Sequence, residues 1–443
     1  MTVRPLLALL VLLALLAPAQ AAAAPRATPG AAVGPLDLAA MALAPADLPT
    51  GYFDEYSDWL IPAAAFADLV LGGPAPAGFA RAYQSFYFAP EIGGGVQVFL
   101  LEFASAEEAT SGATVVDAIL RPPLPEGETI GPEHVAGPPI GDAPSTVTTV
   151  TFDTWAAGGP RADVVAVSFQ RDRLVAGVTA ERYTDPPADG APTAGEASPV
   201  VIDPAQEQLA AKLAETLDGR IAAVLAGGTP AGVDTTLADA LLPIEQLVDP
   251  STPIFGGYIA GADLLRCGTC GEENSLLPFV ETVQDGVVRG LSAGPLVDGE
   301  PSPPFVAVAI AEFASADDAL AALAAIREVP TDRPTGIPIP RGVKTLAADP
   351  TIPGADAALA FTAVTDEEHP DAAPDSAGVD LVVGNLLVMI DVQGGLTGDE
   401  ALAAAEDLAT QQAACLSSGG PCTKLQAPAA LATRSNTEAT PTE

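Results

Sequence analysis

The stretch V-F-L-L-E-F-A-S-A-E-E-A at residues 98–109 returns at residues 308–319 as V-A-I-A-E-F-A-S-A-D-D-A. Each copy is an apolar run of β-forming residues, followed by a serine, two acids and an alanine-rich segment. Ser105 and Ser315 are good helix N-caps, and the acids after them are favoured at the positive end of a helix dipole. The stretch therefore predicts a strand followed by a capped helix, present twice in the chain.

Similar elements surround the two copies in the same order. A leucine-rich helix that ends near a Leu-Pro pair precedes each strand pair (residues 38–48 and 237–247), and a hairpin and an amphipathic helix close each half. Residues 122–144, rich in Pro and Gly, are predicted to form a surface loop. Short strands with helices set apart from hairpins favour an antiparallel sheet over a parallel α/β fold. We predict an α+β fold with two homologous lobes from an internal duplication, each an antiparallel sheet with helices packed on it.

The N-terminus has the pattern of an export signal. Arg4 precedes an apolar run at residues 6–16, and the small residues of Ala19-Gln20-Ala21 form a cleavage site. The apolar run is too short to span a bilayer, so we expect a secreted, extracellular or envelope-associated protein with no stable membrane insertion after cleavage. The predicted segments are a signal peptide (1–21), a linker (22–36), the first lobe (37–226), a linker (227–234), the second lobe (235–425) and a disordered tail (426–443).

The chain is strongly acidic. It has 57 Asp and Glu residues against 18 Lys and Arg residues, a formal net charge of −39. Such a surface repels nucleic acid and anionic membranes, and it suits solubility, cations or a basic partner. We expect a monomer with no nucleic-acid partner, whose partner is a small molecule or a component of the cell envelope.

All four cysteines, Cys267, Cys270, Cys415 and Cys422, lie in the second half. Export into an oxidising space favours disulfides, whereas a four-thiolate zinc site needs a second close pair, and a thioredoxin-type dithiol needs a helix start after a strand of a parallel sheet. We predict that all four are disulfide-bonded and that no thiol is free. Three pairings are open; we favour Cys415–Cys422 across Gly419-Gly420, which leaves Cys267–Cys270.

No catalytic or metal-binding residues are predicted. Residues 290–294 match G-x-S-x-G, but prolines follow Ser292 where a nucleophile elbow needs a helix. The downstream His369 lies in an acidic, proline-rich loop without calcium-binding spacing, and His134 is expected to be solvated. We therefore expect a non-enzymatic protein without a cofactor.

Aromatic residues are scarce, at 5% of the chain, and they are the best candidates for ligand contacts. They provide a large contact area at a small entropic cost, with a polar tip for orientation in Tyr and Trp. The alternative is that they fill the two cores. We hypothesise a ligand site between the lobes or against a sheet, lined by Trp59, Tyr83, Tyr87 and Trp155 in the first half and by Tyr258 and Phe279 in the second.

The order of elements around E-F-A-S-A resembles a diverse group of uncharacterised exported bacterial proteins and lipoproteins, related to the extracellular sensor domains of actinobacterial receptor-type protein kinases. This resemblance implies a binding or sensor-like role with no catalytic residues to carry over. The hypothesis is a secreted, non-enzymatic, sensor-like binding protein. Its alternatives are a secreted hydrolase using Ser292, a dithiol protein using Cys267, and a structural or interaction protein of the cell envelope.

Overall fold

The structure, a computed structural model, describes residues 36–54, 58–71, 73–89, 93–120, 128–153, 161–184, 203–233, 235–247, 252–260, 282–291, 305–328, 343–364, 374–393 and 395–432. The predicted signal peptide and residues 22–35 of the first linker lie outside these ranges. No helix within these ranges is both long enough and apolar enough to cross a membrane.

The strands in chain order are β1 (Phe53–Asp54), β2 (Trp59–Pro62), β3 (Phe79–Ala89), β4 (Gly94–Phe103), β5 (Glu128–Ala136), β6 (Thr146–Asp153), β7 (Arg161–Arg171), β8 (Leu174–Thr184), β9 (Ile254–Phe255), β10 (Tyr258–Ala260), β11 (Val283–Leu291), β12 (Phe305–Phe313), β13 (Val343–Leu346), β14 (Ala357–Val364), β15 (Ser376–Val383) and β16 (Leu386–Gln393). The α-helices are α1 (Leu38–Met41), α2 (Ala63–Phe66), α3 (Ala106–Ile119), α4 (Pro204–Leu225), α5 (Thr235–Asp239), α6 (Ala316–Glu328), α7 (Gly398–Ser418) and α8 (Ala429–Ala432). Short 3₁₀ turns cover Pro45–Asp47 and Ile244–Leu247, and a π-helical turn covers Ala67–Leu71.

The chain forms two compact units. Unit 1 contains the residues up to Leu43, Asp47–Tyr52 and Ile61–Pro230, and unit 2 contains Ala44–Ala46, Phe53–Leu60 and the residues from Ala231 onward. The boundary at Pro230 falls inside the predicted linker 227–234. Residues 44–46 and 53–60 differ from the prediction, which placed them in the first lobe. Within unit 2, Trp59 and Leu60 pair with β9, a long-range contact that the local sequence does not show.

The two units have the same sheet topology. In unit 1 the strand order is β5-β6-β7-β8-β4-β3, and in unit 2 it is β13-β14-β15-β16-β12-β11 followed by β9, with β10 also paired to β11. Neighbouring strands are antiparallel in both units. Position by position in these two orders, β3 and β4 of unit 1 correspond to β11 and β12 of unit 2, and β5 to β8 correspond to β13 to β16. The corresponding strands also follow one another in the same order along the chain. The predicted α+β fold with two homologous lobes is confirmed.

The repeated stretch occupies equivalent positions down to single hydrogen bonds. Phe103 and Phe313 end their strands with 1% and 0% exposure. Their backbone N–H groups donate to the carbonyls of Arg173 and Asn385, the second residue of the β7–β8 and β15–β16 turns, at 2.9 Å in each case. Both predicted N-caps are also present, since Ser105 and Ser315 accept from the backbone N–H three residues later. The two phenylalanines therefore occupy equivalent buried positions, as the repeated stretch implies.

Each sheet is covered on both faces. In unit 2, one apolar cluster joins α7 to Val379, Leu381 and Ile390, and another joins α6 to Leu387 and Met389, the alternate residues of the same hairpin. In unit 1, the ring of Phe103 lies against Gly112 of α3, where an added Cβ would overlap it. Because side chains alternate along a strand, α3 covers the face of β4 that also carries Gln97 and Gly95.

The predicted closing helices are α4 and α7, and a side chain caps the start of each one. Asp203 caps α4 by accepting from Ala205 N, and Thr397 caps α7 in a capping box with Glu400. Each helix also holds the segment that opens its unit through one long polar side chain. Arg220 of α4 donates to the carbonyls of Ala40 and Ala42, and Gln412 of α7 donates to the carbonyl of Ala240 and accepts from Leu242 N.

Three local predictions were wrong. Part of the predicted loop at 122–144 is the edge strand β5, which tolerates Pro132 because the register shifts between Ile130 and Glu133 and an edge strand has only one partner. The predicted opening helices are only α1 and α5, each followed by a 3₁₀ turn. Residues 426–432 of the predicted disordered tail include the short helix α8, whose Leu431 is buried in the unit 2 core, while residues 433–443 lie outside the described residues.

Candidate functional site

Glu181 lies near the end of β8 on the face of unit 1 that α3 also covers. It is directly opposite Val164 on β7 and Gly95 on β4, and the next pair along β8 joins Thr179 to Gln97. Directly opposed residues share a face of a sheet, as do alternate residues of one strand. We call this surface the Glu181 face and define it by Gln97, Thr179, Glu181, Tyr183, Phe86 and Phe88.

The carboxyl group of Glu181 is held by two hydroxyl groups from its own strand. Thr179 Oγ1 lies 3.2 Å from Glu181 Oε1, and the Tyr183 hydroxyl donates to Oε2. Thr179 is completely buried and also accepts from the backbone N–H of Gln97 at 3.2 Å. Removal from water raises the pKa of Glu181 above its ordinary value, and the two hydrogen bonds oppose this shift without cancelling it. A carboxyl group with a perturbed pKa and a physical cause for it is a candidate functional group.

Three aromatic rings line the same face. The centroids of Phe86 and Phe88 are 6.5 Å apart, and those of Phe88 and Tyr183 are also 6.5 Å apart. Gly95, opposite Glu181, leaves room for the first ring: a Cβ at this position would stand 2.6 Å from Phe86 Cζ. All three rings and Glu181 are half-buried, so part of each remains accessible.

Apolar side chains continue the face on the other side of Glu181. Val150, Phe152 and Val164 form a separate buried cluster of β6 and β7, with Ala162 against it. Val164 is 3% exposed and is the direct cross-strand neighbour of Glu181. The carboxyl group therefore lies between the row of three aromatic rings and this apolar cluster, which explains its desolvation.

Several other carboxylates of unit 1 are neutralised by arginine. Glu102, with 5% of its side chain exposed, binds Arg81 at 2.7 Å and Arg173 at 2.8 Å. Three further half-buried acids have the same kind of partner, in the pairs Asp163–Arg161, Asp218–Arg171 and Asp47–Arg220. Among the described residues Glu181 makes no ion pair, and its contacts are the hydroxyl groups of Thr179 and Tyr183.

Unit 2 lacks this arrangement at the equivalent place. Its register puts Gln393 where unit 1 has Glu181, Asp391 where it has Thr179, and Gly290 where it has Phe86. The Oε1 atom of Gln393 is buried without a hydrogen-bond partner among the described residues. The combination of a carboxyl group, two hydroxyl groups and aromatic rings thus belongs to unit 1.

The structure distributes the predicted aromatic residues over several environments. Tyr83 and Tyr87 are each 2% exposed, and they lie on the face of β3 opposite to Phe86 and Phe88; the Tyr87 hydroxyl donates to the carbonyl of Leu43. Trp59 is half-buried against the unit 2 cluster beneath α6. Tyr258 begins β10, while its side chain, Trp155 and Phe279 lie outside the described residues. A ligand role for this set stays a prediction.

Only some of the predicted cysteine, serine and histidine candidates lie within the described residues. Cys415 and Cys422 form a disulfide with 5.8 Å between their Cα atoms, the favoured pairing, whereas Cys267 and Cys270 lie outside the described residues. Ser292 and His369 also lie outside them. His134 is exposed on β5, with its Nδ1 atom 3.0 Å from Thr148 Oγ1. The described residues contain no cluster of three or more side chains able to hold a metal ion.

Sequence analysis missed Glu181, although a signal is present. Thr179, Glu181 and Tyr183 stand at alternate positions of a strand, where an apolar row is expected on a covered face. Aromatic residues alternate along β3, and it is Tyr83 and Tyr87 that occupy its more buried face. Which of the two aromatic rows stands beside a carboxyl group depends on the pairing of β3, β4 and β8.

No protein-family model matches the chain, and no curated protein matches it. Among solved structures, the chain is similar to the extracellular domain of PknH from Mycobacterium tuberculosis. The match has 16% sequence identity and a TM-score of 0.23, and covers 42% of this chain and 94% of that domain.

Proposed function

We propose that the protein is a secreted, non-enzymatic binding protein of the sensor-like type, with its ligand site on the Glu181 face of unit 1. The observation that carries the proposal is the placement of a desolvated carboxyl group beside three half-buried aromatic rings. Ligand sites combine apolar and aromatic walls with a few placed polar groups, and this face has both.

The hydrogen bonds support a binding role over a purely structural one. Thr179 and Tyr183 orient both oxygens of Glu181, so the carboxyl group is pre-organised before a ligand arrives. A desolvated carboxyl group without a counter-charge weakens the folded state, and unit 2, built on the same topology, has Gln393 at this position. Retaining the acid in unit 1 is thus unfavourable for stability, and a ligand that contacts it would provide the compensation.

The proposal is tested by a thermal-shift screen of the purified protein against separate panels of cationic, neutral and anionic small metabolites, lipids and divalent cations. A ligand of the proposed site stabilises the native state in proportion to its concentration, by about 2.7 kcal/mol at one hundred times its Kd. We expect at least one class to raise Tm in the parent protein and to lose this effect when Phe88 is replaced by Ala.

The matched control is Phe305→Ala in unit 2, since Phe305 occupies the place of Gly95 on the equivalent face. This variant should keep the ligand response of the parent. If no class of compound changes Tm, or if both variants respond like the parent, the proposed site is wrong.

A further inference from the structure

Among the residues that the structure describes, Glu181 lacks the arginine partner that Glu102, Asp163, Asp218 and Asp47 of unit 1 have. Arginines of unit 1 also pair with Asp142 and Asp203, whereas the partners of Glu181 are two neutral hydroxyl groups. Hydroxyl donors stabilise a carboxylate but do not cancel its charge. A positive charge is therefore the complement that a ligand could bring to this carboxylate.

The surrounding rings favour one kind of positive charge. The face of an aromatic ring attracts a cation that lies within about 6 Å of its centroid, and this attraction is larger when the cation is poorly hydrated. Phe86, Phe88 and Tyr183 follow one another at centroid separations of 6.5 Å, so one small alkylammonium group could contact more than one of these rings. A strongly hydrated metal ion would instead need several oxygen ligands, and the face offers one carboxyl group.

The net charge of the whole protein also favours a cationic ligand. A formal net charge of −39 raises the local concentration of cations and lowers that of anions. This long-range attraction does not select a site, so the selection has to come from Glu181 and the rings.

We infer that the ligand of the Glu181 face is a small organic cation with an alkylammonium group, which pairs with the Glu181 carboxylate and rests on the rings of Phe86, Phe88 and Tyr183. This inference rests on the proposed function. It adds the chemical class of the ligand, and it predicts that unit 2 does not contribute a second site.

The test compares two probes that differ in charge and hardly in shape, choline and its neutral carbon analogue 3,3-dimethylbutan-1-ol. Binding is measured by isothermal titration calorimetry on the full protein at pH 7 and about 0.15 M salt, where attraction to distant surface acids is largely screened. We expect choline to bind at one site per chain and at least ~10-fold more tightly than the neutral analogue, since both the carboxylate and the rings act on its charge.

Two variants and one control test whether the choline cation binds at Glu181 and Phe88. Glu181→Gln keeps the shape of the side chain and should weaken choline binding by about 10-fold or more, whereas the neutral analogue should change by less than ~2-fold. Phe88→Leu should weaken choline by about 3-fold or more through loss of a ring face. Glu215→Gln makes the same chemical change at an exposed position of α4, and it should leave both probes as they were. Circular dichroism checks that each variant is folded.

The outcomes separate this inference from the proposed function. Equal binding of the two probes, or a Glu181→Gln variant that binds choline like the parent, overturns the cationic ligand. If Glu215→Gln weakens choline as much as Glu181→Gln does, the attraction is general to the acidic surface, and the inference fails. If choline does not bind while a neutral or anionic compound from the screen does so in a Phe88-dependent way, the ligand class is wrong and the binding site stands. If nothing in the screen binds, both are wrong.

Discussion

Replacing the glutamate of the repeated E-F-A-S-A motif should have unequal effects in the two units, although the positions are equivalent. Glu102 is the cross-strand partner of Leu174 on β8, and Glu312 is the cross-strand partner of Leu386 on β16. The two pairs therefore have the same register. In unit 1 the carboxylate binds two arginines, whereas in unit 2 the contact of Glu312 Oε1 is the side-chain amide of Asn385 at 3.1 Å. The substitutions Glu102→Gln and Glu312→Gln therefore make the same chemical change against different partners.

The expected magnitudes follow from those partners. Breaking a buried ion pair by removing one charge costs ~3–5 kcal/mol, because the other charge is left without compensation. With 8% of its side chain exposed, Arg173 has little access to water, while Arg81 is 21% exposed and can be partly hydrated. We therefore expect about 3 kcal/mol for Glu102→Gln, the lower end of that range. A glutamine at 312 can still accept from Asn385, so its cost should not exceed ~1 kcal/mol.

The assay has to separate the two units, since a two-unit chain need not unfold in one step. Native-state hydrogen exchange gives an opening free energy for each amide, and the slowest amides of β4 and β12 report on units 1 and 2 respectively. Glu102→Gln should lower the value in β4 by about 2 kcal/mol more than Glu312→Gln lowers that in β12, the difference between the two costs. Equal losses in the two strands would refute the argument that the arginine pair, and not the shared backbone position, determines the role of this glutamate.

Three further predictions concern stability. Phe103→Ala and Phe313→Ala should each lower the free energy of unfolding of their own unit by ~3–5 kcal/mol, measured by the same hydrogen exchange, and a loss below about 1 kcal/mol in either would contradict its role in the core. Because burial raises the pKa of Glu181 in the folded state, its contribution to stability is present below the pKa of the unfolded chain and is lost as the pH rises through the folded pKa. Glu181→Gln should therefore raise Tm at pH 7 relative to the parent, with a gain that shrinks toward pH 4; a variant less stable than the parent at pH 7 would show that the charged form is the favoured one. Replacing Cys415 and Cys422 together by Ala should lower the free energy of unfolding of unit 2 by about 2 kcal/mol, because the bridge closes a short loop, and urea denaturation with no change in midpoint would show that the bridge does not constrain the unfolded chain.

The sequence by itself determined the elements that depend on near neighbours. The strand and capped helix at each E-F-A-S-A copy, and the hairpin and amphipathic helix that close each half, all appear where the local pattern placed them. Capping, turn and periodicity signals act over a few residues, so they can be read without knowing the fold. The repetition of these signals was enough to predict two homologous lobes.

Only the tertiary structure decided which residues became neighbours across the sheet. Gly95 and Glu181 are far apart in the chain, and they face each other only because β4 pairs with β8 in one register; a shift of one residue would move Glu181 to the other face. The edge strand β5 was missed for a related reason, because its pairing with β6 outweighs a local Gly-Pro signal for a loop. Whether an acid is neutralised also depends on long-range pairing: Glu102 meets Arg81 and Arg173 through its two neighbouring strands, and nothing in the local sequence around Glu181 shows that its neighbours are hydroxyl groups and aromatic rings.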